Sequence, residues 1–132
     1  MGKTYMTSQI NSSPTIVEKA GAAITDVRGK FVKYSTGNVV LASVAGEAVM
    51  GVGIITNSEN LASGDDVVVQ IKDIGLAMAG GAITKGAEIA TDANAKAVAA
   101  TAGDFVIGIA LEAAASGEMF YFQMVKYPKP AA

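Results

Sequence analysis

The sequence predicts an all-β protein, a small β-barrel or β-sandwich-like domain built from two similar halves, with an extended N-terminal arm and little helix. Two observations lead to this fold class. A pattern of turns and apolar runs occurs twice along the 132 residues. The apolar runs are short and contain internal glycines, at Gly51, Gly53, Gly75 and Gly108, which is typical of the bends and bulges of small β domains.

The repeated pattern is clearest from Ala102 to Met124, and it occurs earlier from Ala45 to Ile71. Each copy has a turn that ends in glycine and an acidic residue, an apolar run broken by glycine, a Ser-Gly-acid turn and a second apolar run. Such self-similarity indicates one structural unit used twice, with neither unit able to bury its apolar face alone. Because two copies are present, we expect one pseudo-symmetric domain and not a solenoid.

The chain divides into an N-terminal arm (residues 1–19), a single β-rich domain (residues 20–126) and a C-terminal tail (residues 127–132). The arm is rich in turn-forming residues, and its apolar residues occur singly. At the start of the domain, residues 20–28 fit one helical turn ended by Gly29.

Two hairpins and two further strands are predicted in the domain, and the apolar runs of the repeat add to them. Residues 31–34 and 39–42 flank a cluster of turn formers and predict the first hairpin, and residues 87–91 and 96–100 repeat it. A strand over residues 73–79 lies between them. The final strand, residues 119–125, places Phe120, Phe122 and Met124 on its core face and Tyr121 and Gln123 on a half-exposed face.

The composition argues against several classes of function. Histidine and cysteine are both absent, so the commonest general base, the commonest metal ligand and any thiolate chemistry are missing. We therefore expect no enzyme and no cofactor. The net charge is −2, and the ten basic residues are scattered, which argues against nucleic acid as a partner. No apolar run approaches the roughly 20 residues that span a bilayer, and the N-terminus lacks the apolar core of a signal peptide.

Three short motifs suggest chemistry but are better explained by structure. Residues Gly2 to Thr4 match the end of a phosphate-binding loop without its upstream glycine. The run from Asp92 to Lys96 resembles the opening of a calcium loop without its closing glutamate, and a hairpin turn explains it. Asp65 and Asp66 are adjacent, so on a strand they would point to opposite faces.

Several segments, considered together, resemble the tailed-bacteriophage capsid decoration (cement) proteins, a family formerly described as a domain of unknown function. They are residues 30–33, 46–52, 81–87, 91–98 and 103–114. The resemblance implies a small β-rich protein on the outer surface of the expanded phage head, made in the host cytoplasm. It also implies that the protein ties neighbouring major capsid proteins together against the pressure of the packaged DNA, without catalysis. The implied partners are the major capsid protein and the chain itself, as a homotrimer or alternatively a dimer.

Within that interpretation we expect the N-terminal arm to be the capsid-binding element. Tyr5, Met6, Ile10, Ile16 and Val17 would be its anchors, with residues 3–17 adding a strand to a capsid edge. The alternative for this segment is a frayed terminus.

Other functions remain open from the sequence. One is a head fibre or adsorption protein, which would normally need a further exposed binding domain. Another is a lipoyl- or biotinyl-like carrier domain with Lys96 as the modified residue, although the attachment motif is missing. A third is a trimeric barrel enzyme using Asp65, Asp66 or Asp104.

Overall fold

The computed structural model describes residues 14–131, and no helix occurs in that range. The twelve strands are β1 (Thr15–Lys19), β2 (Ile24–Thr25), β3 (Phe31–Ser35), β4 (Asn38–Leu41), β5 (Gly51–Gly53), β6 (Asn60–Leu61), β7 (Asp66–Gln70), β8 (Ile74–Met78), β9 (Glu88–Thr91), β10 (Ala97–Ala99), β11 (Phe105–Ala110) and β12 (Met119–Pro128). The all-β prediction is confirmed, and so are both predicted hairpins and the strand between them.

Ten of these strands form two open five-stranded sheets, and β2 and β6 form a small two-stranded one. Sheet I has the order β1-β7-β5-β3-β4, and sheet II has the order β10-β9-β11-β12-β8. Neighbouring strands are antiparallel in both. The structure is therefore a pair of sheets and not a closed barrel.

The two sheets have the same topology, which confirms that the domain consists of two similar halves. In chain order, β1, β3, β4, β5 and β7 of the first half correspond to β8, β9, β10, β11 and β12 of the second. The ends of the sheets curl in the same way, since a parallel bridge joins Ala20 to Val39 in the first half and Ala79 to Ala97 in the second. Each half is thus one curled antiparallel sheet.

The helical turn predicted for residues 20–28 is wrong. The amide of Ala20 donates to Asp65 O (2.8 Å) and the amide of Gly21 to Val39 O (2.8 Å), so the segment begins by continuing the pairing of β1 instead of turning into a helix. Ile24 then pairs with Leu61 in the two-stranded sheet. Local propensity favoured the turn, but the long-range strand contacts outweigh it.

Gly51 and Gly108 occupy equivalent positions where two strands approach too closely for a side chain. A Cβ atom on Gly51 would lie 2.2 Å from Gln70 O, and one on Gly108 would lie 2.2 Å from Gln123 O. Because these obstacles are backbone atoms, they cannot move aside as a flexible side chain would. The glycine in each copy of the repeat is therefore required by the packing of β5 on β7 and of β11 on β12.

The apolar core has two parts, which lie on opposite sides of sheet I. Neighbouring strand residues point to opposite faces, so Phe31 and Val32 of β3 enter different parts. Phe31 and Val52 of the first half pack with residues of the second half, namely Ile89, Ile107, Phe120 and Phe122. Val32 packs inside the first half with Val39, Val67, Val69, Ile24 and Leu61. The first half therefore covers one face of its sheet by itself and needs the second half for the other.

Candidate functional site

A groove of about 200 Å³ lies between the two halves, and we call it the junction groove. None of its lining residues is charged, and most are apolar. The Gln70 side chain fixes the connection between β7 and β8, because its Nε2 donates to Lys72 O (2.9 Å) and to Ile74 O (2.7 Å). The groove is lined by Val52, Gly53, Ile54, Ile55, Gln70, Ile74, Gly75, Leu76 and Tyr121.

Three large side chains of the junction groove are exposed to solvent. Ile55 is 58% exposed, Ile74 57% and Tyr121 54%. They come from the segment after β5, from β8 and from β12, and Tyr121 lies opposite Leu76 in the antiparallel register. Exposed apolar residues that occur singly need no explanation, but a group that lines one concave surface is typical of a binding site.

The open edge of sheet I is the second feature that suits a partner. Strand β1 pairs with β7 along its length, from Thr15 opposite Gln70 to Lys19 opposite Asp66. Ile71 N donates to Pro14 O and Ala20 N donates to Asp65 O. Hydrogen-bonded pairs alternate in an antiparallel ladder, so the backbone groups of Val17 point away from β7. The end of β1 is closed, because Ala20 forms a parallel bridge with Val39 of β4. The Val17 side chain is 59% exposed, and an edge of this kind can accept a further strand.

A larger cavity of about 540 Å³ lies elsewhere in the first half, and an ion pair occupies its wall. Lys33 Nζ contacts both carboxylate oxygens of Glu47, at 2.9 and 3.0 Å, and Ser43 Oγ at 3.0 Å. The amides of Ser43 and Val44 also donate to Glu47 (2.8 Å each). Burial opposes ionisation of Glu47, but these hydrogen bonds outweigh it and hold its pKa below the usual value. The pair is satisfied internally, so this cavity is less suited to a ligand.

Strand β12 runs to Pro128 and so includes the first two residues of the segment that the sequence analysis assigned to the C-terminal tail. Phe105 pairs with Pro128 and Val106 with Tyr127. Glu88 accepts hydrogen bonds from Lys129 Nζ (2.8 Å) and from the Tyr127 hydroxyl (2.5 Å). Both hydrogen bonds lower the pKa of Glu88, and the one from Lys129 has the larger effect. These contacts attach the chain through residue 129 to the second half.

The predicted site residues are only partly within the described range. Tyr5, Met6 and Ile10 lie outside residues 14–131. Ile16 is half-buried and packs against the core inside the first half, whereas Val17 faces solvent. Both belong to β1, so the predicted arm and the domain share a strand. Sequence reasoning did not identify the junction groove, although the half-exposed face predicted for Tyr121 is one of its walls.

The described residues offer no other obvious chemistry. In residues 14–131 no group of three or more acidic side chains is arranged to hold a metal ion. The same range contains no helix long and apolar enough to cross a membrane. Lys96, considered as a carrier lysine, lies at the end of the Asp92 turn, where its amide donates to Asp92 Oδ1 (2.9 Å).

Comparison with known protein families gives a match over most of the chain. The model of a family described as phage cement protein matches residues 15–124. This protein belongs to the phage cement protein family. The resemblance seen in the sequence is therefore confirmed, and membership supports a structural role at the phage capsid for this cement protein.

A comparison with solved structures agrees with this assignment at the level of the fold. The cement protein is similar to the N base of the head fiber gp8.5 in bacteriophage phi29, with a TM-score of 0.66 and 19% sequence identity. The similarity covers 84% of this chain and 92% of the other. Among curated proteins, the comparison found no match. The solved structure supports the fold, and the family match favours a structural protein of the virion.

Proposed function

We propose that this protein binds the outer surface of the expanded phage head and ties neighbouring major capsid proteins together, stabilising the shell against the pressure of packaged DNA. The observation that supports this most directly is the family match over residues 15–124. The edge of β1 at Val17 and the exposed residues of the junction groove provide surfaces suited to protein contacts. The protein would be made in the host cytoplasm and reside on the outside of the virion.

The clamp in this proposal is the segment 3–17. Ile16 anchors its root in the domain core, and Val17 exposes a strand edge that a capsid strand can extend. Tyr5, Met6 and Ile10 would contact the shell beyond the domain. A homotrimer is the expected assembly, with a dimer as the alternative, because several modest contacts per oligomer on a repetitive shell produce high avidity without one strong interface.

Purified expanded heads that lack the protein provide the test. The complete chain is expected to bind them at a fixed number of copies per head, and to raise the temperature at which DNA-filled heads release their DNA. A variant that lacks residues 3–12 keeps β1 and Pro14, so it should fold but occupy fewer sites. If the complete chain does not bind heads, the proposed function is wrong. If the shortened chain binds as well as the complete one, the segment 3–17 is not the clamp.

A head fibre or adsorption role is the second candidate, because the solved structure with a similar fold is the base of a head fiber. Loss of the protein should have a different effect in each role. A cement protein protects heads from heat, whereas an adsorption protein alters attachment to cells without changing the stability of the head. Measuring both on heads with and without the protein separates them.

A further inference from the structure

We infer that the junction groove is the part of the domain that meets the shell, and that it takes up a large apolar side chain of the capsid protein. This inference rests on the proposed function and adds to it the face that binds. It is supported by the chemistry of the groove, by the place where the N-terminal segment leaves the domain and by the contrast with the other cavity.

The chemistry of the junction groove selects an apolar partner. Its lining includes no charged residue, and its polar side chains are Gln70 and Tyr121. The Gln70 amide group is already bonded to the carbonyls of Lys72 and Ile74. Ile55 and Ile74 present more than half of their surface to solvent. An aliphatic or aromatic side chain would therefore bind there without leaving a charge or the Nε2 group of Gln70 unpaired.

The position of the N-terminal segment places this groove on the shell side. The described chain begins at Pro14, whose carbonyl accepts a hydrogen bond of 2.8 Å from the amide of Ile71. Ile71 directly follows Gln70 in the groove wall. The proposed clamp thus leaves the domain beside the groove. Thirteen residues reach at most about 47 Å when extended, and a clamp that continues from Pro14 directly onto the shell turns this face toward it.

The larger cavity of the first half does not have these properties. Its wall includes the Lys33 and Glu47 pair, which is satisfied within the protein. Val44 lies next to that pair in the connection between β4 and β5, and its side chain is 58% exposed. This residue provides a control of matched exposure and size away from the groove.

The test compares the occupancy of expanded heads by three proteins: the complete chain, a variant with Ile55→Ser and Ile74→Ser, and a variant with Val44→Ser. Each isoleucine contributes about half of its side chain to the contact, so we expect about a 3- to 10-fold weaker affinity for each, and about 10- to 100-fold for both. Val44→Ser should bind as the complete chain does. Circular dichroism of each variant establishes that it is folded.

A second measurement does not depend on the folding of a destabilised variant. A photo-crosslinking residue in place of Tyr121, which is 54% exposed, is expected to form a bond to the capsid protein on heads. Crosslinking on heads to residues 1–13 of this chain would show that its own arm fills the groove. Crosslinking to a second copy, or loss of oligomers of the free double variant in sedimentation, would show a subunit interface. Either result overturns the inference.

The two proposals fail in different ways. If the complete chain binds heads and the isoleucine variant binds equally well, the groove is not the contact although the function stands. If the complete chain does not bind heads at all, the function itself is wrong and the inference falls with it.

Discussion

Phe122 is the side chain whose removal should damage this protein most, because it joins the two halves. It is fully buried in the shared core. Its ring meets that of Phe31 edge to face, with centroids 5.9 Å apart and planes at 87°. Cβ atoms on Gly75 and Gly108 would lie 3.0 and 2.7 Å from this ring. The ring therefore fills the space that the two glycines leave open.

The magnitude follows from how little the surroundings can collapse. Replacing a buried phenylalanine by alanine usually costs about 3–5 kcal/mol, and the cost is highest where the cavity persists. Here the cavity is bounded by the backbone of β8 and β11, which the sheet ladders hold in place. We expect Phe122→Ala to lower the free energy of unfolding by about 4–5 kcal/mol, including about 0.5–1.5 kcal/mol from the contact with Phe31. The melting temperature should fall by roughly 10–20 °C.

Urea denaturation followed by circular dichroism measures this change, with linear extrapolation of the free energy of unfolding to water. Val125→Ala on the same strand is the control, since Val125 is 41% exposed and should cost less than about 1 kcal/mol. A double-mutant cycle with Phe31→Leu and Phe122→Leu should give a coupling of about 0.5–1.5 kcal/mol. A loss below about 1.5 kcal/mol for Phe122→Ala would contradict the close packing of the halves described above.

Three further predictions concern a close approach, an ion pair and the C-terminal segment. Gly108→Ala places a Cβ atom 2.2 Å from Gln123 O, so we expect it to lower the free energy of unfolding, measured by urea denaturation, by more than about 2 kcal/mol. Gly81→Ala is the control and should be tolerated, because the nearest atom to its Cβ would be 3.9 Å away. Equal stability of the two variants would contradict this prediction. The folded-state pKa of Glu47 is lowered, so its contribution to stability is complete above the unfolded pKa of about 4.3 and is lost as the pH falls through the folded pKa. Glu47→Gln should therefore reduce the loss of stability between about pH 5 and pH 3, and an unchanged acid profile would exclude this role. Ending the chain after Met124 removes the pairing of β11 with residues 127 and 128 and both hydrogen bonds to Glu88. We expect this to lower the free energy of unfolding by about 2–4 kcal/mol. Removing residues 130–132 alone is the control and should have little effect on the melting temperature.

The parts of this fold that could be predicted are those determined by neighbouring residues in the sequence. The hairpins β3–β4 and β9–β10 were predicted because alternating apolar runs flank turn formers, and the core face of β12 followed from the alternation of Phe120 and Phe122. The bridge at Ala20 and the strand β2 were missed because their partners are distant in sequence. The sequence does contain a signal for this segment, because Ala20-Gly21-Ala22-Ala23-Ile24-Thr25 recurs as Ala79-Gly80-Gly81-Ala82-Ile83-Thr84. The two copies are also equivalent in the structure, since Ile83 bridges Ala114 as Ile24 pairs with Leu61.

The junction groove could not be predicted from local sequence patterns for a similar reason. Ile55, Ile74 and Tyr121 belong to three segments that each have an ordinary sequence for a strand or its end. Nothing in one segment shows that the others lie beside it, because that depends on how sheet I is placed against sheet II. The attachment of the C-terminal end could not be predicted for the same reason, since nothing in residues 127–132 shows that Glu88, about 40 residues earlier, binds Tyr127 and Lys129.

The difference between the halves explains which surfaces stay available. Phe31 and Glu88 occupy equivalent positions, opposite Val52 in the first half and opposite Ile109 in the second. Phe31 is covered by the second half, while Glu88 is held by Tyr127 and Lys129 of the C-terminal segment. Similarly, the amide of Gly46 donates to Thr91 O across the halves, and the equivalent amide of Gly103 donates to Lys129 O. The C-terminal segment thus covers on the second half the face that the first half uses for pairing, which prevents the pairing from continuing to another copy there. Val17 of β1 and the large side chains of the junction groove stay exposed, so these surfaces remain available for the contacts with the shell that we propose.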